Sequence, residues 1–98
     1  MNIADQIKWI NENEEWIKSF NPYSIDISEL KGVVSIHARN QAEATKKYFK
    51  DNVKEAYANW CGGNSFNCSV LGKAVDISAI FTEEEVKEIG FENFGMPF

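Results

Sequence analysis

Cysteine, histidine and long apolar runs are scarce in this 98-residue sequence, and each scarcity closes a class of structures. Cys61 and Cys68 are the only cysteines and His37 the only histidine. Neither a disulfide framework nor a zinc knuckle is therefore indicated, and reduced thiols in a cytoplasm fit best. No P-loop, dinucleotide-binding glycine fingerprint or metal-ligand spacing occurs, so no cofactor and no metal is expected. No run approaches the roughly 18–20 apolar residues of a membrane-spanning helix. The start, Met1-Asn2-Ile3-Ala4-Asp5-Gln6, also lacks the basic and apolar regions of a signal peptide, which points to a cytoplasmic protein without a membrane role.

Basic residues are also few. Ten Lys and Arg stand against fifteen Asp and Glu, for a net charge of −5. Phosphate-backbone binding depends on Lys and Arg displacing counterions, so direct nucleic-acid binding is not expected. The charge is uneven: segment 37–60 is locally basic through Arg39, Lys46, Lys47, Lys50 and Lys54, and the remainder is strongly acidic.

Apolar residues are ample, at 44% with seven Phe, three Tyr and three Trp. A chain of this length holds one core, so residues 1–98 read as a single α+β domain with an irregular apolar tail at 91–98. From Ile3 to Phe20, Ile3, Ile7, Ile10 and Ile17 run beside Trp9, Trp16 and Phe20 at helical spacing, an apolar arc wider than one core contact requires. Tyr23–Leu30 and Val33–Ala38 alternate as strands around Lys31-Gly32, a hairpin that would set Ile27 against Ile36 and Asp26 against His37. Asn40 with Glu43 resembles a capping box opening a helix through Trp60, closed by Gly62-Gly63. Ser65–Leu71 and Ala74–Phe81 flank Gly72-Lys73 as a second hairpin suited to type II′ geometry. Its Phe66, Cys68, Val70, Val75, Ile77 and Ala79 share one face, and Asn67, Ser69, Asp76 and Ser78 the other. Thr82 caps a short acidic helix carrying Val86 and Ile89, closed by Gly90. The order α-β-β-α-β-β-α predicts a four-stranded antiparallel sheet with helices packed on its apolar face.

Two constellations invite chemistry. Asp26 and His37 on the polar face, with Ser28 and Ser35 nearby, suggest a hydrolase or ligand module. The same residues also read as an exposed cross-strand pair worth about 0.2–1 kcal/mol. Cys61, beside a glycine-rich turn, is a second candidate, although a helix C-terminus there would raise its thiol pKa. Cys68 alternates with Phe66 and Val70 and reads as a small core residue. No catalytic assembly is complete, and the chain reads as a non-enzyme.

The acidic residues suggest binding instead. Glu12, Glu14, Glu15, Glu83, Glu84, Glu85 and Glu88, with Asp26 and Asp76, would suit a basic channel on a nuclease or other nucleic-acid-handling protein, although such charges also serve as plain solvated faces. Trp9, Trp16, Phe94, Met96 and Phe98 are candidate aromatic and apolar anchors, and the aromatic stripe also offers a surface for homodimerisation. The opening Met1-Asn2-Ile3, with Asp5 and Ile7 beginning an amphipathic helix before a hairpin, resembles the small acidic anti-CRISPR inhibitors that phages direct at host defence nucleases. That resemblance implies a non-enzymatic phage or mobile-element inhibitor acting in the host cytoplasm on one protein partner. The element order is also that of the half-unit of LAGLIDADG homing endonucleases, whose acidic motif and basic saddle this chain lacks.

Overall fold

The computed structural model describes residues 1–95. Four helices and six strands follow in the order α1 (Ile3–Glu12), α2 (Glu14–Ser19), β1 (Ser24–Asp26), β2 (Val34–His37), α3 (Glu43–Asp51), β3 (Tyr57–Gly62), β4 (Ser65–Val70), β5 (Val75–Thr82), α4 (Glu83–Ile89) and β6 (Asn93–Gly95). The strands form one six-stranded mixed sheet in the order β1-β2-β5-β4-β3-β6. Pairing is parallel between β2 and β5 and between β3 and β6, and antiparallel elsewhere. The expected four-stranded antiparallel sheet is therefore incorrect, for three reasons.

First, the expected helix over 40–60 stops at Asp51, where Asn52 donates its side-chain amide to the Tyr48 carbonyl. Ala56, Ala58 and Trp60 satisfy strand alternation as readily as helical spacing, and the aromatic residues Tyr57 and Trp60 suit a strand. Gly62 and Gly63, both at positive φ, then turn the β3–β4 hairpin instead of ending a helix. Second, β2 pairs in parallel with β5, because α3 and the β3–β4 hairpin lie between them in sequence. Third, residues 93–95, expected within an irregular tail, add to β3 as a short edge strand. The Asn59 side chain occupies the space a Cβ at Gly95 would fill, so a larger residue there would displace that amide.

Both expected hairpins exist, but each is offset by two residues. Ile25 lies opposite Ile36 and Asp26 opposite Ser35, so the connection is the longer loop 27–33 rather than a two-residue turn. Cys68 likewise pairs with Ala79 and Val70 with Ile77. Gly72 does not adopt positive φ, so the β4–β5 turn is not the expected type II′. A shift of two preserves the side of every residue, since side chains alternate with period two. The apolar face accordingly buries Val34, Ile36, Cys68, Val70, Ile77, Ala79 and Phe81.

The helices cover that face only. Phe49 of α3 lies edge-on to Phe81 at 5.2 Å and to Phe91 at 5.9 Å. Such fully buried aromatic residues each contribute about 1.5–3 kcal/mol by leaving water. The single helix expected over 3–20 is broken at Asn13, which caps α1 through its own N–H and side chain to the Trp9 carbonyl. At α4 the expected capping box is present, with Thr82 Oγ1 accepting from the Glu85 N–H and Glu85 Oε1 accepting from the Thr82 N–H. Gly90 ends that helix at φ 87°. No helix among the described residues is long and apolar enough to cross a membrane.

Candidate functional site

With helices on one side, the other side of the sheet is bare, and the register sets out what it displays. One row crosses all six strands as Ser24, His37, Ser78, Ser69, Tyr57 and Asn93. The flanking row on one side is Asp26, Ser35 and Asp76, and on the other Ile80, Asn67, Asn59 and Gly95. Hydroxyls, amides and carboxylates thus occupy a face that alternation keeps free of core residues.

His37 is the centre of a connected side-chain network on this face. Its Nε2 lies 2.8 Å from Asp26 Oδ2, and its Nδ1 lies 3.0 Å from Ser78 Oγ. The expected Asp26–His37 contact is real, but it runs diagonally. The serine it reaches is Ser78, not Ser28 or Ser35. Ser78 becomes its neighbour only through the parallel β2–β5 pairing, which alternation within either strand does not reveal. Ser28 lies in the loop 27–33, where its backbone bonds to Gln6.

Beside this network a shallow groove of about 190 Å³ runs over β5, lined by Lys31, Ser35, Asn67, Ser69, Leu71 and Asp76 together with His37 and Ser78. Asp76 Oδ1 accepts from the Gly72 N–H at 3.1 Å, which fixes the β4–β5 turn at one end of the groove. Among the described residues, the side chains of Ser35, Asn67 and Ser69 make no hydrogen bond within the chain. Their donors and acceptors are uncommitted.

The acidic residues do not form one surface. Asp26 and Asp76 lie on the open face, and the glutamates lie on the helices of the opposite layer. Most of those glutamates are ion-paired: Glu12 with Lys8 at 3.8 Å, Glu14 and Glu15 with Lys18 at 3.0 and 3.7 Å, Glu83 with Lys87 at 3.4 Å, and Glu88 with Lys50 at 3.7 Å. These exposed pairs add little stability, and four lysines offset part of the charge of five glutamates, Lys18 serving both Glu14 and Glu15. Glu84 has no ion-pair partner among the described residues. Glu85 is mostly buried and braces the start of α4. Burial alone would push its pKa up, but hydrogen bonds from Thr82 and Asn40 and the nearby Lys46 ammonium outweigh burial and hold it below the ordinary carboxylate value. Asn40, expected to cap α3, is thus spent on α4, and the N-cap of α3 is Ala42.

Among the aromatic candidates, Trp9 is half-buried and meets Trp16 edge-on at 6.0 Å, and Trp16 packs on Phe20 at 4.8 Å and on Tyr48 at 6.0 Å. Both tryptophans therefore line the margin of the core. Trp16, with Phe20 and Tyr48, also walls an apolar cleft of about 240 Å³ between α2 and α3. Phe94 is 60% exposed at the β6 edge, against Phe66 at 6.4 Å. Trp60, expected inside a helix face, is exposed close by on β3. Met96 and Phe98 lie outside the described residues. Cys61 is exposed near the end of β3, not at a helix terminus, and Cys68 is buried, its thiol pushed up to about 12 chiefly by desolvation. No group of side chains suited to hold a metal ion occurs among the described residues.

No family model, curated protein or solved structure matches the chain.

Proposed function

We propose that this chain is a non-enzymatic interaction protein whose working surface is the bare face of the sheet. The observation that carries the proposal is the row of polar side chains across six strands, with Ser35, Asn67 and Ser69 uncommitted beside the Asp26–His37–Ser78 network. Register aligns these hydrogen-bonding groups on a rigid sheet, which lowers the ordering cost of binding. The helical glutamates, paired with lysines on the other layer, contribute solubility and long-range charge. This reading keeps the macromolecular partner implied by the acidic composition and places its contact on the sheet rather than on the helices. Affinity capture from the native host with wild-type and Ser69→Arg baits tests it. The arginine fills the groove, so a partner recovered by the wild type and lost by Ser69→Arg supports the surface. Equal recovery by both baits contradicts it.

The Asp26–His37–Ser78 relay favours a second reading, acyl transfer with Ser78 as nucleophile. Here His37 Nδ1 would accept the serine proton while Nε2–H donates to Asp26. Two features weigh against it. The side chains of His37 and Asp26 are 31% and 64% exposed, so water competes for the relay. Moreover β5 is a central strand whose backbone amides are engaged by β2 and β4, so they do not form an oxyanion hole over Ser78. Labelling of Ser78 by a fluorophosphonate, abolished by His37→Ala, would establish this reading, and its absence would exclude it.

A further inference from the structure

We infer that the groove over β5 is a binding site for one neutral sugar residue, the part of a larger partner that the open sheet face reads. This inference rests on the surface assigned above and names its ligand class.

Size sets the first limit. At about 190 Å³ the groove falls below the roughly 300–1,000 Å³ of sites that enclose drug-sized ligands, and it has room for a single ring or side chain. Charge sets the second. The groove sets one carboxylate, Asp76, against one ammonium, Lys31, and the His37 imidazole on its wall is engaged by Asp26, so no single charge sign dominates it. Asp76 is further committed through one oxygen to the Gly72 N–H, which leaves the other oxygen to accept a hydrogen bond from a ligand.

Hydrogen-bond chemistry then selects among neutral ligands. Ser69 and Asn67 each both donate and accept, as does the more deeply set Ser35, 7% exposed, and none has a partner within the chain among the described residues. A ligand that displaces their water must return bonds of both polarities, or the desolvation is uncompensated. Ring hydroxyls do this, since each is donor and acceptor at once. The apolar faces of a sugar also find partners. Leu71, 70% exposed, stands on the turn at the groove, and Tyr57, 48% exposed, flanks Ser69 in the same row.

The test is a ¹⁵N–¹H titration of the intact chain with the methyl glycosides of glucose, galactose, mannose and N-acetylglucosamine. Glycine serves as a zwitterionic probe for the Asp76–Lys31 pair. At least one glycoside is expected to give saturable shifts confined to residues 31–35, 67–71 and 76–78, with a dissociation constant on the order of millimolar. Asn67→Ala and Ser69→Ala, both exposed-face substitutions that preserve spectral dispersion, should weaken it about fivefold or more. Absence of saturable shifts with every glycoside, or saturation by glycine alone, overturns the sugar assignment. If Ser69→Arg nevertheless abolishes partner capture, the open-face reading stands and only the ligand class has failed. Loss of both results removes the surface as well.

Discussion

Gln6 and Ser28, twenty-two residues apart, are joined by reciprocal hydrogen bonds: Gln6 Nε2 donates to the Ser28 carbonyl at 2.8 Å, and the Ser28 N–H donates to Gln6 Oε1 at 3.0 Å. The same Nε2 also donates to the Met1 carbonyl at 2.9 Å. Gln6 is completely buried, so its amide substitutes for a strand partner and ties α1 to the loop 27–33 that carries Lys31 to the groove. Gln6→Leu keeps the volume but leaves the Ser28 N–H unpaired and the Ser28 carbonyl with the Gly32 N–H alone, at an expected cost of about 1–3 kcal/mol. Denaturant unfolding measures this, and amide exchange at Ser28 should accelerate in the variant.

Thr45 presents the opposite case. Its hydroxyl is fully buried on α3 with no hydrogen-bond partner among the described residues. Thr45→Val removes the unpaired group at nearly constant volume and comparable helix propensity, so stability should rise by about 1 kcal/mol. A higher midpoint in urea with an unchanged slope is the expected outcome.

These two residues mark where the sequence stops being legible. Alternation assigns the residues of β1, β2, β4 and β5 to the correct side of the sheet, and the offset of both hairpins by two leaves those assignments intact. Period-two patterning does not say which strand lies beside which. The parallel β2–β5 contact depends on α3 and the β3–β4 hairpin being accommodated between them, which no local pattern encodes. The Ala56–Trp60 stretch satisfies both helical and strand periods, and only tertiary pairing decides it. Gln6 lies beside an apolar arc that includes Ile7, yet Gln6 is buried and Ile7 is 47% exposed, because loop 27–33 offers unpaired backbone groups where an isoleucine would leave them unsatisfied.

Glu85 links stability to pH. Its folded pKa lies below the ordinary value of 4.5, so its contribution is complete above about pH 4.5 and is lost as pH falls through the lowered folded value. Glu85→Gln should lose about 1–2 kcal/mol near neutrality. The difference from wild type should shrink on acidification, as followed by thermal unfolding between pH 7 and 3.

The two thiols should differ sharply. Cys61 is exposed, and Cys68 is buried with its pKa raised to about 12. At pH 8 a disulfide-exchange reagent should modify one thiol per native chain and the second only on unfolding. Fast reaction of both would place Cys68 outside the core.

The site was legible in composition and not in connection. Asp26 with His37, and the polar side of Asn67, Ser69, Asp76 and Ser78, follow from alternation. The Ser78 contact and the groove follow only from strand order. The pairing of the glutamates is not visible in composition, because Lys8, Lys18, Lys50 and Lys87 sit one helical turn or one helix away from their partners.

The measurement that bears most directly on the open sheet face as the working surface is the affinity of the captured partner for two single variants. Ser69→Arg alters the bare face, and Glu84→Lys reverses a charge on the helical layer. The account predicts at least a tenfold weaker dissociation constant, about 1.4 kcal/mol, for Ser69→Arg and little change for Glu84→Lys. The reverse order of effects, with Glu84→Lys abolishing binding and Ser69→Arg leaving it intact, would contradict it.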